Sequence, residues 1–212
     1  MFYFARTPGW VKKLYTRCTW DLPGNQNEVY LTFDDGPHPT ITPFVLNELK
    51  RYNAKATFFC IGKNAFQYPE VYKRILEEGH ATGNHTQHHL NGWKTRDQTY
   101  LEDINTAEAY IHSDLFRPPY GRIKRSQLKL LTKEKPSLRV IMWSVLSGDF
   151  DTKIRGENCL QKVLNNTGKG SIIVFHDSEK AEKRLRYALP KTLEFLTGKG
   201  YLFKKIEAGN IY

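Results

Sequence analysis

The apolar and polar positions of this chain fall into short blocks whose period keeps changing. Glu28 to Phe33 reads as a strand, first alternating and then continuously apolar, and it runs straight into Asp34, Asp35, Gly36 and Pro37. A Pro-Gly-Asn turn at Pro23 to Asn25 precedes it. Thr40 to Tyr52 sets Ile41, Phe44, Val45 and Leu49 along one helical stripe, and Ala56 to Ile61 is an unbroken apolar run, a buried strand ended by Gly62. Asn64 to Glu78 is helical in pattern, with Val71, Ile75 and Leu76 on one face and Gly79 as its stop. A short strand then leads to His85. Thr95 to Ser113 carries Leu101, Ile104, Ala107 and Ile111 at helical spacings, after which Leu115 and Phe116 run into the breaker Pro118-Pro119.

The second half repeats this rhythm. It predicts a helix over Ser126 to Thr132, a strand over Leu138 to Val145, a helix over Glu157 to Asn165 and a strand over Ser171 to Phe175. A long helix, Leu185 to Leu196, is expected to be interrupted by Pro190, and a last strand lies near Tyr201 to Ile206. Strands separated by helical crossovers pair in parallel. The polar residues that end these strands are spread over many of them, which favours a closed or nearly closed arrangement over an open sheet with one switch point. The expected fold is therefore α/β, a distorted (β/α) barrel of about seven parallel strands. An N-terminal segment, 1–27, is expected to pack on a domain spanning 28–212.

Composition agrees with one domain: 212 residues with 40% apolar content support one sizeable core. The 32 basic and 22 acidic residues give a formal charge of +10, which suits an anionic partner. The basic residues are scattered, however. Their densest groups, Lys124 to Lys135 and Lys180 to Arg186, lie in helical patterns as solvated faces, and no nucleic-acid motif accompanies them, so nucleic acid is not the expected partner. Cys18, Cys60 and Cys159 have neither the number nor the spacing of a disulfide framework or thiolate zinc site, and reduced thiols are expected. Charges and a Pro-Gly pair break the aromatic, basic first twenty residues before an apolar run of about 7 forms, so no cleavable signal is visible. No apolar stretch of about 18 residues suggests a transmembrane segment. The expected location is cytoplasmic or peripheral to the membrane.

Candidate chemistry gathers at the strand ends. Asp34 and Asp35 follow the first strand, and adjacent carboxylates suit a cation or a division of labour between binding and proton transfer. His85 and His88, in GNHTQHH, are three apart and would share one side of a helical turn; with one carboxylate they suit a divalent metal with positions left open. His38, His80, His89 and His112 have no comparable context and are expected to be structural or exposed. In RPPYG, the guanidinium of Arg117 can hold a carboxylate bidentately, and the backbone N–H of Tyr120 can face an oxyanion. Asp149, in SGDFD, is placed to pair with His176, in IVFHD, raising its pKa and keeping it able to donate a proton. Trp93, Trp143 and Phe150 offer faces for sugar rings, with core packing expected for at least two of them.

In order and spacing, TFDDGP, H-T-x-x-H, RPPYG, the Asp149 segment and IVFHD resemble the motifs of the polysaccharide deacetylases, carbohydrate esterase family 4, with a NodB-like domain. The resemblance runs from Val29 to the C-terminus. It implies a distorted (β/α) barrel, Asp34 as general base, and Asp35, His85 and His88 as ligands of a divalent metal, zinc first and cobalt or another ion next. It further implies Arg117 as partner of the base, the Tyr120 N–H as oxyanion donor, Asp149 as tuner and His176 as general acid. The implied reaction removes N-acetyl groups from N-acetylglucosamine-type sugars of a peptidoglycan- or chitin-like polysaccharide. O-acetyl groups on a polymer such as xylan are the alternative. A carbohydrate-binding domain without catalysis is the rival from another class, and the retained acids and bases count against it. Two positions depart from the family pattern: Ser144 stands near a common acidic position, and Phe150 where tryptophan is frequent.

Overall fold

The computed structural model describes residues 3–23 and 26–210, so Gly24 and Asn25 of the expected Pro23 to Asn25 turn lie outside the described residues. Nine strands make one sheet: β1 (Cys18–Thr19), β2 (Glu28–Asp34), β3 (Ala56–Cys60), β4 (Ala81–Asn84), β5 (Leu115–Phe116), β6 (Arg139–Ile141), β7 (Val145–Leu146), β8 (Ile172–His176) and β9 (Leu202–Phe203). Their order is β1-β6-β5-β4-β3-β2-β8-β7, with β9 paired to the start of β2, and every ladder is parallel. This is the expected distorted (β/α) barrel. Its edges are β1 and β7; the N-terminal segment supplies β1 itself and meets the β7–β8 side through antiparallel bridges, Arg6 to Val145 and Asp21 to Ser171.

The helices are α1 (Gly9–Leu14), α2 (Ile41–Arg51), α3 (Gly62–Gln67), α4 (Pro69–Glu77), α5 (Asp97–Ala107), α6 (Arg125–Glu134), α7 (Gly156–Asn166) and α8 (Glu182–Gly198). Parallel strands need such crossovers, and both faces of the central strands are then covered. Leu31 and Phe33 of β2 are wholly buried against Val45 and Leu49 of α2 and Leu185, Leu189 and Leu193 of α8. Phe33 stacks on Phe58 at 5.0 Å and on Phe175 at 6.2 Å, locking β2 to β3 and β8. Each such side chain contributes about 1.5–3 kcal/mol by leaving water.

Three elements depart from the sequence pattern. The single strand expected over Leu138 to Val145 divides because its backbone changes partners: Met142 N donates to Thr19 O at 2.7 Å, whereas Ser144 N donates to Ile172 O at 3.1 Å. The helix expected over Asn64 to Glu78 breaks at Tyr68, since Pro69 opens α4 and disfavours helical geometry in the residue before it. Pro190, by contrast, lies inside an unbroken α8, whose buried Leu189 and Leu193 hold it to the core on both sides.

Candidate active site

The C-terminal ends of the parallel strands converge on one face. Register sets Asp34 of β2 beside Phe59 and His176, the last residue of β8. Asp35 follows with φ 81°, turning the chain sharply. Next to it, Gly36 packs so closely on Asp177 that a Cβ would lie 2.2 Å from the carboxylate, so only glycine fits. Gly36 N (3.1 Å) and the Thr42 hydroxyl donate to that carboxylate, and Asn64 Nδ2 donates to Asp35 O at 2.7 Å. Burial pushes the Asp177 carboxyl up to about 7, against the hydrogen bond from Thr42. The carboxylate turn is thus pinned from both sides.

Arg117 is 0% exposed. It emerges just past β5, where its N–H donates to Asn84 O at 3.0 Å, and its guanidinium crosses the barrel interior. Nη1 donates to Asp34 Oδ1 and to Thr32 Oγ1, both at 2.7 Å; Nε donates to Ile141 O at 3.1 Å and Nη2 to Met142 O at 2.9 Å. The Phe59 ring lies 4.1 Å beneath it. The expected bidentate grip is therefore a single contact, because the remaining donors serve Thr32 and the two carbonyls where β6 and β7 part. Burial pulls the Arg117 pKa down, and the Asp34 charge and hydrogen bond oppose it.

Among the described residues, Asp35, His85 and His89 form a cluster able to hold a metal, with one donor atom from each lying within 4.8 Å of the others. Asp35 Oδ1 is 3.2 Å from His89 Nε2 and 3.8 Å from His85 Nε2. Tetrahedral ligands on a divalent ion at about 2.0 Å stand roughly 3.3 Å apart, so the set fits such an ion. His85 Nδ1 lies 2.7 Å from Arg117 O; the carbonyl can only accept, so Nδ1–H donates to it and Nε2 is left as the nitrogen free to ligate. Burial pushes His85 down to about 4, favouring the neutral imidazole a metal needs. Burial alone would raise the Asp35 carboxyl. The hydrogen bond from His89 and the charges of His176, His89 and His85 outweigh it and hold Asp35 well below the usual carboxylate range.

His88, expected in this cluster, is not there. Its side chain is 60% exposed and its Nδ1 pairs with Asp103 Oδ1 at 2.6 Å, while its N–H donates to Asp103 Oδ2 at 3.0 Å. The expectation assumed a helical turn after β4. The chain instead passes through left-handed residues, Thr86 at φ 64° and His89 at φ 56°, so the residue four positions on, not three, comes back to His85. The third member of the cluster is legible in the motif itself, since H-T-x-x-H counted from His85 ends on His89.

On the opposite wall His176 Nδ1 lies 2.8 Å from Asp149 Oδ1, and Asp149 Oδ2 accepts from the His176 N–H at 2.7 Å. Burial of the ring lowers its pKa, but the charge and hydrogen bond of Asp149, with Asp35 and Asp34 beyond, raise it to about 10. A cleft of about 440 Å³ joins the two walls, lined by Asp34, Asp35, His85, His89 and His176 together with Tyr3, Tyr120, Trp143, Leu146 and Phe150. Tyr120 is 56% exposed, and its ring lies 4.5 Å from that of His89. Its φ of 61° belongs to the 3-10 turn Pro119–Gly121, which carries the segment along the cleft edge. Trp143 and Phe150 line the cleft, whereas Trp93 stands 55% exposed outside it with Arg122 5.1 Å over its ring.

Comparison with known proteins accords with this arrangement. Residues 21–135 match the family model described as polysaccharide deacetylase. A peptidoglycan-N-acetylglucosamine deacetylase of Bacillus cereus is 36% identical over 191 residues, covering 87% of this chain and 89% of that protein. A chitooligosaccharide deacetylase of Azorhizobium caulinodans is 38% identical over 160 residues, covering 72% of this chain and 75% of that one. The crystal structure of the Bc1960 peptidoglycan N-acetylglucosamine deacetylase superposes with a TM-score of 0.85 at 36% identity, covering 94% of this chain and 95% of that one. The chain is thus a hydrolase and belongs to the polysaccharide deacetylase family, carbohydrate esterase family 4.

Proposed function

We propose that this chain hydrolyses the N-acetyl group of N-acetylglucosamine-type sugars in a peptidoglycan- or chitin-like polymer, leaving a free amine and acetate. The observation that carries this reading is the meeting, in one cleft, of Asp35, His85 and His89 with Asp34 on one side and His176 on the other. The activities for which the two relatives are named, on peptidoglycan and on chitooligosaccharide, support an amide on an amino sugar as the bond cleaved.

A divalent ion held by Asp35, His85 and His89, zinc first and cobalt next, would supply a Lewis acid for the acetyl carbonyl and a charge that favours hydroxide over water. Asp34, oriented by the hydrogen bond from Arg117, takes the proton of the attacking water. The backbone N–H of Tyr120 is the protein donor assigned to the developing oxyanion, and losing such a donor typically costs about 100-fold or more. His176 holds Asp149 through Nδ1 and carries its transferable proton on Nε2, which it gives to the sugar nitrogen as the C–N bond breaks. An amine expelled without that proton would be a very poor leaving group. Tyr120 and Trp143 give the cleft aromatic surface suited to a pyranose ring.

The test is acetate release from N-acetylglucosamine oligomers by metal-stripped protein before and after zinc or cobalt is added. Metal-dependent release is the expected result. Release from acetylxylan alone would replace the amide by an ester, and protein that binds no metal would remove the basis of the mechanism.

A further inference from the structure

The N-terminal segment does more than cover the opening in the barrel. Residues 3–7 run beside β7: Leu146 N donates to Ala5 O and Thr7 N to Ser144 O, both at 2.9 Å, and Thr7 Oγ1 donates to Trp143 O at 2.7 Å. This pairing delivers Tyr3 to the wall of the catalytic cleft. The Tyr3 ring lies so close over Gly148 that a Cβ there would stand 2.6 Å from the phenol oxygen. Its hydroxyl donates to Asp151 Oδ2 at 3.1 Å and accepts from Lys162 Nζ, on α7, at 3.0 Å. Its ring centroid is 5.2 Å from that of Phe150, and Phe150 in turn meets His176 edge-on at 5.3 Å and 75°.

Asp149 restrains His176 along one edge of the ring, which leaves rotation about the Nδ1 to Oδ1 direction open. An edge-on aromatic contact limits that rotation. Phe150 supplies it, and Phe150 stands on the turn 148–151 that Tyr3 clamps at Gly148 and Asp151. We infer that Tyr3 is a positioning residue for His176, acting through Phe150, and that the N-terminal segment thereby governs proton delivery to the leaving amine. This rests on the deacetylase reading above.

The prediction depends on the leaving group. An amino sugar must be protonated to depart; 4-nitrophenolate need not be. Tyr3→Ala should lower kcat for an N-acetylglucosamine tetramer about 10-fold or more while changing 4-nitrophenyl acetate hydrolysis by less than about twofold. Tyr3→Phe, which keeps the ring, should retain most of the tetramer activity. In a His176→Ala background the further effect of Tyr3→Ala should vanish, because the two act as one unit. Equal losses on both substrates, which a general loss of folding or metal would produce, would overturn the inference, as would an unchanged tetramer rate. Wild-type protein inactive on both substrates would instead overturn the deacetylase reading beneath it.

Discussion

Arg117 Nη1 lies 2.7 Å from Asp34 Oδ1 with both side chains buried, so the candidate base is paired with, and oriented by, a cation that has no access to water. The arginine serves the carboxylate rather than the Asp35, His85 and His89 cluster, which it meets through its backbone carbonyl on His85. Arg117→Ala should therefore lower turnover by about 100-fold or more while leaving zinc content nearly unchanged. Stripping one partner from a buried ion pair also costs stability, about 3–5 kcal/mol. Turnover and bound zinc measured on the same folded preparation check this, and lost zinc with normal turnover per bound ion would reverse the assignment.

The two neighbouring histidines make a sharper pair. His89→Ala should weaken zinc binding beyond the roughly 10–100-fold typical of an outer partner, whereas His88→Ala should leave it within a few-fold of wild type. Competition with a chromogenic chelator reads both. The opposite order would return the ligand role to His88.

A pH profile tests His176. Its pKa of about 10 belongs to the Asp149 pair, and as a proton donor it loses activity when pH rises through that value. Asp149→Asn removes the main raising influence, so the alkaline limb of kcat should move to lower pH. The same pair affects folding: a raised pKa stabilises fully below the ordinary 6.5 and the contribution is lost as pH rises through about 10. An alkaline limb that stays in place in Asp149→Asn would break the pairing.

His80 works in the other direction. Its Nδ1 accepts from Ala56 N at 3.2 Å, and burial, aided by the charge of Lys55, pushes its pKa down to about 4. The folded protein wants this ring neutral, while the unfolded chain takes up a proton near 6.5. Stability from this site is full above about 6.5 and declines as pH falls towards 4. Melting temperature should drop across that window, with a shallower slope in His80→Gln. Equal slopes for the two proteins would exclude His80 as a source of acid sensitivity.

Much of this was legible because short-range patterns carry it. The apolar run of Val29 to Phe33 ending in Asp34 and Asp35 announces a buried strand with carboxylates at its polar end, and β2 lies inside the sheet between β3 and β8 as that pattern requires. The spacings of Arg117, Asp149 and His176 after their strands placed them on one face, since parallel strands bring their C-terminal ends together. Backbone conformation was harder to read. The left-handed φ at Thr86 and His89, which exchanges His88 for His89 beside Asp35, follows from how the segment after β4 is tied to Asp103 on α5.

The chain's residues by themselves determined the alternation of strands and helices, the parallel barrel and the carboxylate, imidazole and guanidinium groups available at the strand ends. Periodicity and motif order are local properties. Tertiary structure alone decided that one expected strand divides where its backbone changes partners, with the Ile141 and Met142 carbonyls there accepting from Arg117, and that Tyr3 stands against Phe150. Those contacts join residues 24, 25 and 147 positions apart, and a pairing over such distances is set by the packing that closes the sheet, not by any neighbouring pattern of side chains.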